Sequence, residues 1–256
     1  MEVVEVSDMW KRFRIPHEKR PNIIENVASI LSGGRRYDYE EFWALKEINL
    51  KLTHGDSLGI IGPNGSGKST LLKLMAHVMK PDKGSVETIG SIAPILELGI
   101  GFHGDLTVKE NAVVYGVILG MPLSEVKKRI DRIMEFAGLT RFKDAKLKNL
   151  SSGMQVRLAF SIVMQTDADI YLIDESLSGG DMEFQQRCLE KFRDFKKEEK
   201  SIILVSHNMD LVRRFCERSL YLLDGEARAV GSSQETTSRY IDDMKTYMGG
   251  NEPRKI

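Results

Sequence analysis

The stretch GPNGSGKST, residues 62–70, combines glycines, a lysine and hydroxyl residues at spacings that suit phosphate binding. It fits G-x-x-x-x-G-K-[ST] between an apolar run and a helical pattern, so its amides and the helix start can surround phosphate. We expect Lys68 to neutralise β- and γ-phosphate oxygens and Ser69 to ligate Mg²⁺. The residues predicted to contact a nucleotide are Gly62, Pro63, Asn64, Gly65, Ser66, Gly67, Lys68, Ser69 and Thr70.

Two adjacent acids, Asp174 and Glu175, end the apolar strand pattern DIYLID, where α/β sheets bind ligands. Neighbouring strand side chains point in opposite directions, so the two acids have different predicted tasks. Asp174 would hold Mg²⁺ through water, and Glu175 would orient and deprotonate the attacking water, a role worth roughly 10²- to 10⁴-fold in rate. His207 follows the next strand pattern, SIILV, and would reach the γ-phosphate from the same sheet edge if the strands are parallel.

A further stretch, LSSGMQVRLAFS, distinguishes between classes of nucleotide hydrolase, because a phosphate loop with two acids would also suit a kinase or a GTPase. It resembles the signature motif of the ATP-binding cassette (ABC) family, L-S-G-G-Q followed by an arginine. The resemblance implies a head-to-tail homodimer holding two ATP molecules, each between Lys68 of one chain and the signature motif of the other. The matching residues are Leu150, Ser151, Ser152, Gly153, Met154 and Arg157.

Other family positions follow from the same resemblance. Glu97 lies near the place of the glutamine that couples nucleotide to the transport channel, and it is a predicted metal contact. Asp181 ends SLSGGD, which occupies the place of the loop that crosses the dimer, so it is a predicted nucleotide contact. Ser152 replaces a glycine, and Met154 and Glu97 each replace a glutamine, but the hydroxyl and amide groups of the signature motif remain.

Three longer patterns, SSGMxxRLAFS, ILELGIGFHGDLTVKEN and GDMEFQQRC, look like those of the ATP-binding subunits of polysaccharide exporters. This narrower resemblance implies export of a lipid-linked O-antigen, capsule or teichoic acid chain. The chain would act at the cytoplasmic face of the cell membrane, bound to two copies of a separate transmembrane permease. Another exporter, or a soluble cassette acting on nucleic acid or ribosomes, is the alternative.

About thirty residues, 14–43, stand where the family has a short turn between its first two strands. Between Lys11 and Arg36 there are seven basic and two acidic residues, and NIIENVASIL has the pattern of a short amphipathic helix. One hypothesis places this insertion near the membrane surface, in contact with substrate head groups. Packing of its apolar stripe on its own domain explains the pattern equally well.

An aromatic residue near this insertion is expected to stack on adenine, because the family holds the base in that way. Tyr39, Trp43 and Phe13 all qualify by position. Tyr39 is the preferred candidate.

Strand patterns alternate with helical patterns, which predicts an α/β fold with a mostly parallel sheet, here the P-loop cassette fold. Residues 98–166 show helical patterns without a strand, including a helix from Pro122 to Ala137 that ends at Gly138 and a helix that follows LSSG, and they predict an inserted helical lobe. The single domain 1–256 would then consist of an ATPase core, residues 1–97 and 167–256, and a helical subdomain, residues 98–166. Near the C-terminus, LYLLDGEARAV predicts a hairpin that turns at Asp224-Gly225.

Composition excludes several classes of protein. The chain has 256 residues, 41% of them hydrophobic, which is incompatible with a disordered or fibrous protein. Its 37 basic and 37 acidic residues balance, so there is no overall attraction to nucleic acid or anionic lipid. Cys188 and Cys216 fit no metal-ligand spacing and are expected to be buried free thiols. No stretch approaches the ~18 apolar residues that span a bilayer, so we expect a cytoplasmic protein.

Overall fold

The computed structural model describes four stretches of the chain: residues 1–17, 38–96, 98–174 and 181–249. The predictions for Glu97 and Glu175, and for residues 18–37 of the insertion, lie outside the described residues.

Strands and helices alternate along most of the described chain. The strands are β1 (Glu2–His17), β2 (Asp38–Thr53), β3 (Ser57–Ile61), β4 (Lys83–Thr88), β5 (Ile92–Ile95), β6 (Ile170–Ile173), β7 (Ser201–Val205), β8 (Arg218–Leu223) and β9 (Glu226–Ser232). The α-helices are α1 (Lys68–Met75), α2 (Val108–Ile118), α3 (Leu123–Ala137), α4 (Ser152–Val163), α5 (Met182–Lys197), α6 (Met209–Phe215) and α7 (Ser233–Gly249).

The main sheet has the strand order β5-β6-β7-β3-β8-β9. Neighbouring strands from β5 to β8 are parallel, and β9 runs antiparallel to β8. Every residue of β3, β6 and β7 is buried, as expected for strands covered on both faces. The prediction of an α/β fold with a mostly parallel sheet is confirmed.

Two hydrophobic clusters cover the two faces of this sheet. Successive strand residues divide between them: Ile60 and Leu172 belong to one cluster, and Ile61 and Ile173 belong to the other. The first cluster packs α1 against the sheet, and the second packs α2 to α6. Because the strands are held from both sides, the loops that follow them start from fixed positions.

A second, antiparallel sheet has the order β2-β1-β4. The pairing of β1 with β2 is irregular before Arg12 and then continuous from Arg12↔Trp43 to His17↔Asp38. The described ends of the 14–43 insertion therefore extend this hairpin as paired strand. The sequence predicted a separate inserted segment and did not predict this extension.

The helical segment between β5 and β6 is fully described from residue 98 to residue 166, and it contains no strand. It begins with α2, whose N-cap Thr107 forms a reciprocal capping box with Glu110. Helix α3 ends at Gly138, which adopts a left-handed φ of 67°, as the sequence predicts. The division into two subdomains stays a prediction.

The C-terminal hairpin turns at Asp224 and Gly225, with φ values of 52° and 79°, as predicted. Ser232 Oγ then accepts a hydrogen bond from the Glu235 amide (3.3 Å) at the start of α7. Tyr240 of α7 packs edge-on against Tyr221 of β8, with ring centroids 5.2 Å apart. These contacts fix α7 against the sheet.

Both cysteines are free and buried, as predicted. Burial raises the pKa of the Cys188 and Cys216 thiols to about 12, so neither thiol ionises near neutral pH. None of the helices in the described stretches combines the length and the apolar character that spanning a bilayer requires.

Candidate functional site

Three predicted site segments leave the same edge of the main sheet. In the register of the parallel strands, Ile60 of β3 lies level with Val205 of β7, and Leu204 lies level with Ile173 of β6. The phosphate loop follows β3, Asp174 follows β6, and His207 follows β7. The carboxyl ends of these strands therefore bring the three segments together, which is where α/β sheets bind ligands.

The phosphate loop depends on its glycines. Gly62, Gly65 and Gly67 have φ values of 150°, 79° and 104°, which other residues rarely adopt. A Cβ on Gly62 would overlap the Leu222 carbonyl oxygen, and one on Gly67 would lie 2.7 Å from the Ala44 carbonyl oxygen. Gly62 and Gly67 therefore leave no room for a side chain, and Gly65 keeps a backbone conformation that other residues rarely adopt. It leads directly into α1, whose first residue is Lys68.

The Lys68 side chain folds back over this loop and is almost fully buried. Its Nζ donates hydrogen bonds to the carbonyl oxygens of Gly62 (2.9 Å) and Pro63 (3.0 Å). A phosphate group entering the loop would offer charged acceptors, which bind an ammonium group more strongly than carbonyl oxygens do. The contacts of Lys68 thus suit anion binding.

Ser69 and Asp174 meet across the edge of the sheet. Ser69 Oγ donates a hydrogen bond to Asp174 Oδ2 (3.4 Å), although the two residues are 105 positions apart. A hydroxyl and a carboxylate this close fit neighbouring positions around Mg²⁺, which prefers oxygen ligands about 2.0–2.1 Å away. Among the described residues, no group of three His, Cys, Asp or Glu side chains could hold a metal. Mg²⁺ would therefore also need phosphate and water oxygens, as in sites where it binds together with a nucleotide.

A groove of about 320 Å³ runs from the phosphate loop to the β1–β2 hairpin. On the hairpin side it is lined by Phe13, Phe42 and Ala44. Phe13 and Phe42 face each other as a cross-strand pair, and they are 37% and 49% exposed, so flat apolar surface is available there.

Tyr39, the preferred adenine contact, is not among the described residues that line this groove. The regular pairing beyond Arg12 gives the reason, because strand side chains alternate between faces. Phe42 faces the groove, so Tyr39, three positions away, lies on the opposite face together with Trp43. Trp43 packs edge-on against Trp10, with centroids 5.4 Å apart. Of the three candidates from the sequence, only Phe13 lines the groove, together with Phe42, which the sequence analysis did not consider. The identity of the adenine contact stays a prediction.

The signature segment begins a helix, as predicted. Ser151 is the N-cap of α4, and its Oγ accepts a hydrogen bond from the Met154 amide (3.3 Å). Ser151 and Ser152 are exposed, so their hydroxyl groups and the helix start face outwards. The Met154 side chain is partly buried against the core of the helical segment. The outward-facing part of the motif is thus made of small groups.

An ion pair links the signature helix to the start of α5. Arg157 Nη1 lies 2.9 Å from Asp181 Oδ2, and Asp181 Oδ1 accepts a hydrogen bond from the Phe184 amide (2.9 Å). Asp181 is therefore the N-cap of α5. The sequence predicted a nucleotide contact for Asp181 and missed these two roles, although an aspartate before a helical pattern is an N-cap signal.

Comparison with known proteins agrees with the site geometry. The family model described as "ABC transporter" matches residues 45–178, which include the phosphate loop and Asp174. The O-antigen export system ATP-binding protein RfbB of Klebsiella pneumoniae is 39% identical over 94% of this chain and 98% of its own length. The teichoic acids export ATP-binding protein TagH of Listeria monocytogenes is 37% identical over 81% of this chain and 62% of its own length.

Solved structures show the same fold. A dimeric ATP-binding cassette in a post-hydrolysis state, bound to ADP and Pi, superposes with a TM-score of 0.71 and 24% identity, covering 90% of this chain and 98% of its own. The ATP-binding subunit of an ABC transporter superposes with a TM-score of 0.74 and 20% identity, covering 97% of this chain and all of its own.

The two roles of Asp181 can be separated by substitution. Asp181→Ala removes the cap and the ion pair, so we expect it to lower the free energy of unfolding by about 1–2 kcal/mol. Asp181→Asn keeps a side-chain oxygen for the Phe184 amide and should cost less than about 1 kcal/mol, because the carboxylate is largely exposed. Urea unfolding of both variants measures the difference. Equal losses would mean that the cap contributes nothing.

Proposed function

The chain belongs to the ABC transporter family, and on that basis we propose that it is the ATP-hydrolysing subunit of an exporter for lipid-linked, O-antigen-type polysaccharide. The observation that carries the substrate class is the similarity to an O-antigen export protein over 98% of that protein's length. Similarity to a teichoic acids export protein supports the same class, because both substrates are surface polysaccharides. The chain would work at the cytoplasmic face of the membrane, through two copies of a transmembrane permease.

An apolar patch on the helical segment supports docking of the permease. Val114, Val117 and Ile118 share one face of α2, at spacings i, i+3 and i+4, and are 39%, 45% and 59% exposed. Ile100, which is 58% exposed, belongs to a segment that lies next to this face. The following residue, Gly101, is so close that a Cβ built on it would lie 3.0 Å from Ile118 Cδ1. A contiguous apolar patch of this kind is typical of a protein interface. We assign it to a cytoplasmic helix of the permease.

In the proposed reaction, the phosphate loop and Lys68 hold the triphosphate and neutralise charge that develops on its oxygens. Ser69 and Asp174 would hold Mg²⁺, which supplies Lewis-acid stabilisation of the phosphate oxygens. Glu175 orients the attacking water and accepts its proton, and His207 donates a hydrogen bond to the γ-phosphate.

The second half of each site would come from a second copy of the chain. Ser151, Ser152, Gly153 and the start of α4 offer hydroxyl groups, amides and the partial positive charge of a helix N-terminus. In other nucleotide hydrolases, a group supplied in trans changes the rate by ~10³- to 10⁵-fold. We do not assign Met154 to the nucleotide, although the sequence predicted such a contact, because its side chain packs against the core.

The adenine base would lie on Phe13 and Phe42. Both rings line the groove that continues from the phosphate loop, and their cross-strand pairing holds them side by side. Stacking of a base on an aromatic side chain contributes about 1–3 kcal/mol. We refer to Phe13 and Phe42 together as the base platform.

Contact of the 14–43 insertion with lipid head groups stays a hypothesis. The net positive charge that could attract anionic head groups is smaller than residues 11–36 alone suggest. The return strand adds Asp38, Glu40 and Glu41, so residues 11–43 contain seven basic and five acidic residues, a net charge of +2. Glu41 lies within 2.9 Å of Arg12 Nη1 and 3.4 Å of Arg14 Nε. Each of these pairs reduces the charge available to an anionic surface.

The export function can be tested in cells that depend on this chain. Lys68→Ala should abolish ATP hydrolysis and surface polysaccharide, because the triphosphate loses its main cation, and lipid-linked polysaccharide should accumulate inside. Lys127→Ala, an exposed lysine on α3, is the control and should behave as wild type. Antibody labelling of intact and lysed cells measures both pools. Normal surface polysaccharide in the Lys68→Ala strain would refute the proposed function.

Shared sites predict nucleotide-dependent dimerisation. Glu175→Gln should form a stable dimer with ATP and Mg²⁺, because the triphosphate stays intact without the general base. Size-exclusion chromatography with light scattering measures the mass. Adding Gly153→Asp to this variant should restore the monomer, since a carboxylate would face the partner's triphosphate. A dimer that forms equally well in the double variant would place the interface elsewhere.

The base platform is tested by comparing two aromatic residues on opposite faces of the hairpin. Phe42→Ala should weaken ATP binding by about 1–3 kcal/mol, or roughly 5- to 150-fold in Kd. Tyr39→Ala should change the Kd less than about twofold, because strand alternation turns position 39 away from the groove. Calorimetric titration with ATP gives both values. A larger increase in Kd for Tyr39→Ala than for Phe42→Ala would indicate that Tyr39 contacts adenine.

A further inference from the structure

The tip of the C-terminal hairpin joins the two halves of the nucleotide groove. The Gly225 amide donates a hydrogen bond to the carbonyl oxygen of Ser66 in the phosphate loop (3.2 Å). The Gly225 carbonyl oxygen accepts a hydrogen bond from the Lys46 amide of β2 (2.8 Å). A single residue outside the groove thus bonds to both the phosphate loop and the strand that carries Phe42.

The contact has no room for a side chain. The Ala44 carbonyl oxygen lies between two glycines: a Cβ on Gly67 would be 2.7 Å from it, and a Cβ on Gly225 would be 2.6 Å from it. Real Cβ atoms do not approach an oxygen so closely, so any larger residue would have to push β2 away. Gly225 also has a φ of 79°, which a glycine adopts without strain.

Ala44 connects this contact to the base platform. Ala44 and Phe42 both line the groove, and Ala44 lies at the register shift between the pairs Lys11↔Leu45 and Arg12↔Trp43, two positions from Phe42. A displacement of Ala44 would therefore move Phe42 relative to the phosphate loop. ATP must reach both, so a changed separation would prevent the base and the phosphates from making their contacts in the same pose.

We propose that Gly225 is a positioning residue that sets the distance between the base platform and the phosphate loop, and so makes the groove fit a nucleoside triphosphate. The inference rests on the proposal that Phe13 and Phe42 hold the base. It requires that loss of Gly225 weakens ligands with both a base and phosphates, and spares ligands with phosphates alone.

The experiment compares two ligands of the full-length chain with Mg²⁺. The Kd for ATP is measured by calorimetry, and that for inorganic tripolyphosphate by competition against a fluorescent ATP analogue. In Gly225→Ala the Kd for ATP should rise about tenfold, equivalent to ~1.4 kcal/mol, and that for tripolyphosphate should change less than about twofold. Equal weakening of both ligands, or no change in either, would overturn the proposal.

Two further glycine variants separate the contact with Ala44 from backbone strain. Gly120 has a φ of 89°, and a Cβ built on it meets nothing within 4 Å, so Gly120→Ala carries the strain alone and should bind ATP as wild type. Gly225→Asn tolerates a positive φ better than alanine but keeps a Cβ, so its loss of ATP affinity should persist. Wild-type affinity in Gly225→Asn would show that strain, and not spacing, is responsible.

The Phe42→Ala and Gly225→Ala variants together separate failure of the base platform from failure of the positioning role. If Phe42→Ala leaves ATP binding unchanged, the base platform is wrong; if Phe42→Ala weakens ATP binding and Gly225→Ala does not, only the positioning role falls. Circular dichroism checks folding of each variant. Should Gly225→Ala fail to fold, Gly225→Asn takes its place, because asparagine tolerates a positive φ better and still adds a Cβ. It should weaken ATP about tenfold and change the Kd for tripolyphosphate less than about twofold; equal weakening of both ligands, or no change in either, overturns the proposal.

Discussion

The parallel alignment of β6, β7 and β3 is the constraint on which the candidate site depends. These strands are buried on both faces, so their register is fixed by two hydrophobic clusters and not by the loops. The fixed register places Ser69 within hydrogen-bond distance of Asp174 across 105 positions of sequence. The site is therefore positioned by packing in the sheet before any nucleotide arrives, which favours catalysis by preorganised groups.

Much of the fold could be predicted because its signals are local. The phosphate loop, the end of α3 at Gly138 and the turn at Asp224-Gly225 each depend on a few neighbouring residues whose types restrict the backbone. The parallel order of the strands followed from the alternation of strand and helix patterns. Ser151 could be identified as a helix start because a hydroxyl residue before an apolar run is an N-cap signal.

Features that depend on pairing between distant elements could not be predicted in this way. The choice between Tyr39 and Phe42 requires the register of β1 against β2, and that register contains irregularities before Arg12 that the sequence does not reveal. The ion pair of Arg157 with Asp181 joins two helices separated by a buried strand. The role of Gly225 depends on how closely its turn approaches Ala44, which is a matter of tertiary packing.

The ion pair between α4 and α5 has a consequence for communication between subunits. Asp181 uses both carboxylate oxygens within its own chain, one for the amide at the start of α5 and one for Arg157. The beginning of α5 and the signature helix are thus held together by this ion pair. In a dimer of the proposed kind, a displacement of Asp181 would be transmitted through Arg157 to the signature helix, which would face the ATP bound by the second chain. The two nucleotide sites would then be coupled through these two side chains.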